Sequence, residues 1–312
     1  MTSTLLERFV SRFSYGFVLA FHEISPQRIV DLIDCLKPAR PIPLPELVQR
    51  SKDGKVTSGL FAITVDDGVG ENVRALSRTF LAQQWPATFY LPTHYLDTGE
   101  RMMYQWWQTL KPLVPRRRLN LKSGCVDLSS PGAVEEFSKK LELMWHTQRM
   151  ETYYATTMEL LEIVRATGVD PGAIEPPAPI SWNEVTELCK SDLLGFESHG
   201  VSHAAMSSLT EQELSFELRH SRDVIESHTG RPCRHLAYPF GSTQSIGSKA
   251  VALSKNYYDS AATMSLGHVD HADPWFLPRI PLYPENSALL AWMKILLKCS
   301  AVGPKRTDRV AA

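Results

Sequence analysis

The sequence contains no C-x-x-C pair. Its five cysteines, Cys35, Cys125, Cys189, Cys233 and Cys299, are scattered and odd in number. That pattern argues against a cysteine zinc cluster or a disulfide framework and reads as reduced thiols. Neither charge is in excess: 33 Lys+Arg against 34 Asp+Glu leave a formal net charge of −1, so no long-range field draws the chain to nucleic acid or anionic lipid. No apolar run nears the ~18 residues of a membrane span. The opening MTSTLLERFVSRFSYGF is broken by Glu7, Arg8 and Arg12 and has no small-residue cleavage pattern, so the expected compartment is the cytoplasm. A Gly-rich dinucleotide fingerprint is also missing, which counts against an open nucleotide-binding sheet.

What is present is a chain of 312 residues, 43% hydrophobic, enough for a full core and for one large domain or two ordinary ones. Short apolar runs alternate with segments of helical periodicity. GFVLAF (16–21), LFAITV (60–65), PATFYLP (86–92) and LLGFES (193–198) read as strands, and HLAYPF, YDSAATMS and WFLPRIPL are further strand candidates. Helices are expected over 27–37, 72–84, 181–190, 210–230, near 244–255, and at ENSALLAWMKILLKC. Ser181 with Glu184 and Thr210 with Glu213 form capping-box patterns, and Gly230 supplies a stop. Repeated strand–helix units predict an α/β fold, a distorted TIM-like (β/α)7 barrel of parallel strands. The rhythm breaks over 101–179, with YQWWQTL, a basic PRRRLNLK, two helical stretches and the proline-rich EPPAP. That stretch reads as a mostly helical insertion in a barrel spanning 15–300, with 301–312 a flexible tail. LLAWMKILLK is a candidate for lying on a membrane surface, which would make the protein peripheral, or for packing on the barrel.

In such a barrel, active residues sit where strands end. Asp66 and Asp67 follow the run FAITV directly, although Asp and Gly are also common wherever a strand turns. His199 and His203 follow another strand and are spaced so that one helical turn would face both imidazoles to a single ion. Asp67, His199 and His203 together make a ligand set suited to zinc, or to another divalent first-row metal such as cobalt, manganese or nickel. Asp66 would then remain as a base for water.

TVDDG resembles the T-F-D-D-G motif of the polysaccharide deacetylases (carbohydrate esterase family four), and SHGVSH resembles that family's H-x-x-[ST]-H motif. LAYPFG, FLPRI and VLAFHEIS are similar to its third motif, a late strand and the opening strand in a variant group reading A-Y-P-[FY]-G and L-P-R-[IV]. The resemblance implies removal of acetyl groups, usually from N-acetylated sugars, by metal-activated water. It casts Asp66 as general base and Asp67, His199 and His203 as metal ligands. The backbone N–H near Phe240 becomes an oxyanion donor, and Tyr238 and Phe240 become walls of the sugar site. Ala237 stands where the commoner motif has an arginine, so Arg279 is expected to arrive from a neighbouring strand and orient Asp66. The commoner L-x-H motif, source of the acid, is missing. His22 at the end of the first strand is the leading candidate, with His268 and His271 as others. The expected partner is an acetylated sugar or glycan. A non-sugar amide or O-acetyl ester hydrolase, or a glycan-binding protein that has lost its acid, are the alternatives.

Overall fold

Parallel strands covered on both faces must be apolar throughout, and the central strands here are. The computed structural model describes residues 13–299 except 123, 148 and 149; the tail expected at 301–312 lies outside them. The strands are β1 (Phe17–Phe21), β2 (Arg40–Pro41), β3 (Leu60–Val65), β4 (Ala87–Leu91), β5 (Arg118–Leu121), β6 (Gly124–Asp127), β7 (Leu194–Ser198), β8 (His235–Ala237), β9 (Ser260–Ala262) and β10 (Ile280–Pro281). The helices are α1 (Pro26–Asp34), α2 (Leu44–Lys52), α3 (Gly70–Gln83), α4 (Thr93–Thr98), α5 (Met103–Leu110), α6 (Pro131–Thr147), α7 (Met150–Arg165), α8 (Trp182–Leu188), α9 (Glu211–Thr229), α10 (Thr243–Ser254) and α11 (Ala288–Cys299). Among the described residues, no helix is long and apolar enough to cross a membrane.

The main sheet runs β10-β1-β3-β4-β7-β8-β9, with β2 alongside the start of β3. Every pairing in it is parallel. The sheet curls, and one short segment touches both of its edges. Leu277 bridges to Ala262 of β9, and three residues later Ile280 pairs with Leu19 of β1. The result is the distorted TIM-like barrel. Side chains alternate across its wall. Phe17, Leu19, Phe21, Phe61, Ile63 and Val65 pack outward with the helices. Val18, Ala62, Tyr90, Ala237 and Ala262 share an inner cluster with Leu44, Leu47 and Val48 of α2. Small inner residues leave room in the barrel for the large side chains of Tyr90 and Arg279.

Three stretches differ from the sequence reading. The strand expected at HLAYPF stops at Ala237, because Pro239 has no N–H to donate and Phe240 and Gly241 take left-handed φ of 62° and 67°. WFLPRIPL gives a 3-10 turn and a two-residue strand, with Pro278 and Pro281 removing ladder donors. The basic PRRRLNLK contains β5, which pairs antiparallel with β6; Leu119 and Leu121 face inward while Arg118 and Asn120 face out. Residues 101–179 build a separate apolar cluster that includes Trp107, Leu110, Leu121, Leu141, Leu160 and Val164.

Candidate active site

The β1–β3 register pairs Phe21 with Val65, and Asp66 N–H donates to Phe21 O at 2.9 Å. His22 and Asp66 therefore leave the barrel side by side at its C-terminal rim. The turn that follows is tight. Asp67 has φ 76° and Gly68 φ 67°, and a non-glycine residue held there costs ~1 kcal/mol or more. That backbone aims both carboxylates into one cavity. The chain leaving the 101–179 stretch clips the turn from outside: Ile180 N–H donates to Gly68 O and Gly70 N–H to Ala178 O, each at 2.8 Å.

The second loop follows β7. His199 and Ala237 O lie 2.7 Å apart through Nδ1. A carbonyl can only accept, so Nδ1 carries a proton and Nε2 is the nitrogen turned toward Asp67 Oδ1, 3.5 Å away. His203 Nε2 lies 3.4 Å from the same oxygen. The spacing argument assumed a helical turn between the two histidines, but residues 199–203 form a non-helical bend with Gly200 at φ 77° and His203 at φ 58°. Glu217 of α9 holds that bend, accepting from Val201 N–H at 2.6 Å and from the Ser202 hydroxyl at 2.5 Å.

These residues fit a divalent ion. The ligating atoms of Asp67, His199 and His203 all lie within 4.8 Å of one another. Asp67 Oδ1 is buried and makes no hydrogen bond, an unfavourable state for a carboxylate oxygen unless a cation answers it. Burial pushes the Asp67 carboxyl up, but the two imidazoles outweigh it and hold it well below the usual range. His203 is pushed down, chiefly by burial, which keeps its imidazole neutral and able to ligate.

Asp66 faces a different partner. Arg279, 0% exposed, donates to Asp66 Oδ1 at 2.7 Å and Oδ2 at 2.8 Å, a two-pronged pair. Its Nε donates to Thr263 O and its Nη1 also to Thr64 Oγ1, and the guanidinium lies 5.6 Å from the Tyr90 ring centroid. Burial raises the Asp66 carboxyl, yet the Arg279 charge brings it below the ordinary value. His22 Nε2 stands 3.9 Å from Asp66 Oδ2. Asp66, Asp67, His22, His199, His203, Arg279, Tyr238 and Phe240 all line one open pocket of about 320 Å³. Tyr238 borders the pocket, but its side chain is 0% exposed and packed among the outer core residues, with its hydroxyl engaged by Ser254 and Trp275 O, so the expected ring wall is not formed by it. His268 and His271 do not join the pocket. Their loop bonds through Val269 N–H to Gly16 O, before β1, and His268 stacks on Tyr15. That is the opposite end of the barrel.

The sequence model of the polysaccharide deacetylases matches residues 53–257. The chain belongs to the polysaccharide deacetylase family. Membership makes it a hydrolase of carbon–nitrogen bonds other than peptide bonds. Solved structures share the fold at low identity. A polysaccharide deacetylase from Bacillus cereus has a TM-score of 0.57 at 16% identity, over 90% of this chain and 69% of its own. A Streptococcus pyogenes deacetylase in complex with acetate gives 0.56 at 11%, over 90% and 97%. A de-N-acetylase from Aggregatibacter actinomycetemcomitans gives 0.56 at 12%, over 89% and 99%. No curated protein matches the sequence.

This polysaccharide deacetylase also builds part of its pocket from residues that sequence reasoning passed over. Tyr104, Trp107, Gln108, Lys111, Glu135 and Ser138 line one wall, and all come from the 101–179 stretch. The aromatic density of YQWWQTL was their only signal. Glu217 had a clearer one: it interrupts the buried face of α9 formed by Leu214, Leu218, Ser221 and Ile225, and a carboxylate on a helix's apolar stripe needs a reason to be there.

Proposed function

We propose that the protein hydrolyses the acetamido group of an N-acetylated sugar in a glycan or glycan precursor, with a divalent metal held by Asp67, His199 and His203. The observation that carries this reading is the partnerless Asp67 Oδ1 facing two imidazoles beside the Arg279-bound Asp66. Zinc suits the mixed oxygen and nitrogen donors best, with cobalt, manganese or nickel as substitutes. When bound, such an ion supplies Lewis acidity, making water a better nucleophile near neutral pH and polarising an acyl carbonyl.

The remaining work falls to the chain. Asp66 accepts a proton from water as the water oxygen attacks the acetyl carbon. Arg279 keeps that carboxylate ionised and fixes its plane, and each oxygen retains a lone pair for the incoming proton. The Phe240 amide steadies the oxygen that becomes negative. His22, partly exposed at the mouth of the pocket, gives a proton to the sugar nitrogen as the C–N bond breaks, leaving acetate and a free amine. Phe240 offers ring surface to the sugar. In the domain reading that accompanies this function, residues 15–300 form the catalytic barrel and 101–179 an insertion shaping the groove.

The test is acetate release from N-acetylglucosamine oligomers by Zn²⁺-loaded protein, with non-sugar acetamides and O-acetyl esters run alongside. Release from the sugars, abolished in Asp66→Asn with the fold intact, is the expected result. Turnover of only the esters or non-sugar amides would reassign the substrate, and no turnover with any of the four metals would overturn the reading.

A further inference from the structure

Asp67 has two carboxylate oxygens with different surroundings. Oδ1 faces His199 and His203. Oδ2 accepts a hydrogen bond from Tyr104 Oη at 2.7 Å. Tyr104 is not a barrel residue; it lies on α5, at the start of the 101–179 stretch. Its ring also stands against His203, with centroids 6.2 Å apart. One hydroxyl thus touches a proposed ligand directly and its ring borders another.

The position of that hydroxyl is set by the packing of the insertion. Trp107 and Leu110 of α5 sit in the insertion's own apolar cluster. Trp107 Nε1 donates to Ser138 Oγ of α6 at 3.1 Å, and Lys111 pairs with Glu135 at 2.8 Å. The exit of the insertion is bonded to the other side of the acidic turn through Ala178 and Ile180. The turn carrying Asp67 is therefore gripped from two sides by residues outside the barrel.

We propose that Tyr104 is a positioning residue of the metal centre, and that the insertion and the bound metal stabilise one another through it. This inference rests on the metal reading above. With Oδ2 engaged by Tyr104, Asp67 offers one fixed oxygen to the ion and cannot rotate away from the imidazoles. Partners of this kind, one bond removed from the ion, typically change metal affinity by about 10- to 100-fold. Coupling of two equilibria is reciprocal, so metal binding favours the docked position of α5 by the same factor. The insertion wall of the pocket is then firmest when the ion is in place.

The experiment measures Zn²⁺ affinity by competition with a chromophoric chelator for the wild-type protein, Tyr104→Phe and Asp67→Ala. It also measures amide hydrogen exchange over 103–110 in the wild-type protein with and without Zn²⁺. Expected are a loss of about 10- to 100-fold in Tyr104→Phe, with the metal-free variant still folded by circular dichroism, and slower exchange in α5 when Zn²⁺ is added. The Co²⁺-loaded variant should show altered visible absorption bands, because the released Oδ2 is free to turn toward the ion. Wild-type affinity in Tyr104→Phe, or exchange in α5 that ignores Zn²⁺, overturns this inference and leaves the metal reading standing. Absence of Zn²⁺ binding by the wild-type protein, no different from Asp67→Ala, overturns both.

Discussion

Replacing Arg279 by methionine keeps most of the side chain's length and removes its charge. In the native fold the guanidinium answers Asp66 with two bonds and adds Thr263 O and Thr64 Oγ1, all out of solvent. Breaking such a buried pair from one side costs about 3–5 kcal/mol, because the surviving charge is stranded. The cost should depend on pH. In the wild-type protein Asp66 lies below its ordinary value, so the pair's stabilisation is complete above the unfolded-state pKa and is lost only as pH falls through the lower folded value. Burial is the largest influence on this carboxyl and acts upward; without Arg279 nothing of equal size opposes it. The folded-state value then rises above the unfolded one, and stability declines as pH increases between them, by up to about 1.4 kcal/mol per pH unit. Urea unfolding at pH 5 and pH 8 reads this directly. Arg279→Met should lose more stability at pH 8 than at pH 5, and adding Asp66→Asn should recover much of the loss by removing the stranded charge. A loss below about 1 kcal/mol, as for an exposed pair, or strictly additive effects in the double variant, would refute the reasoning.

Other outcomes follow from the same geometry. Glu217→Ala removes the acceptor shared by Val201 and Ser202; at about 1–3 kcal/mol for each buried donor left unpaired, it should lower the melting temperature and weaken Zn²⁺ retention together. Gly241→Ala places a Cβ 2.6 Å from Met264 N at φ +67°; calorimetry should show a clear stability loss, and the displacement of Phe240 should raise KM. Glu197 of β7, which accepts from the Arg234 and His235 N–H groups, is pushed up to about 8 by burial, so it favours the fold while protonated and its contribution fades as pH rises toward 8. Glu197→Gln should flatten the decline in urea stability between pH 5 and 8 without moving the Zn²⁺ affinity.

The barrel strands were legible because burial on both faces forces uninterrupted apolar runs, as in FVLAF and LFAITV. The placing of Asp66, His22 and His199 at the rim followed from strand ends and parallel register alone. Arg279 was expected through the resemblance, as the arginine that stands in for the one missing at Ala237. Tyr104 was not, because its meeting with Asp67 depends on how a stretch with its own core docks on the barrel, and no local periodicity encodes docking. The β5–β6 hairpin was hidden in a similar way: Arg116, Arg117, Arg118 and Lys122 dominate the segment and mask the alternation of Leu119 and Leu121. The histidine pair was found by a spacing rule whose helical premise does not hold; a glycine and a carboxylate bring the rings together instead.

The seam formed by Leu277 and Ile280 carries Arg279 between its two stitches. Mechanical closure of the barrel and the counter-charge of Asp66 are thus supplied by one five-residue stretch, 277–281. If this seam unzips, the wall opens and Asp66 loses its counter-charge in the same event. Such a design ties the ionisation of one buried carboxylate to the integrity of the stitch that closes the wall.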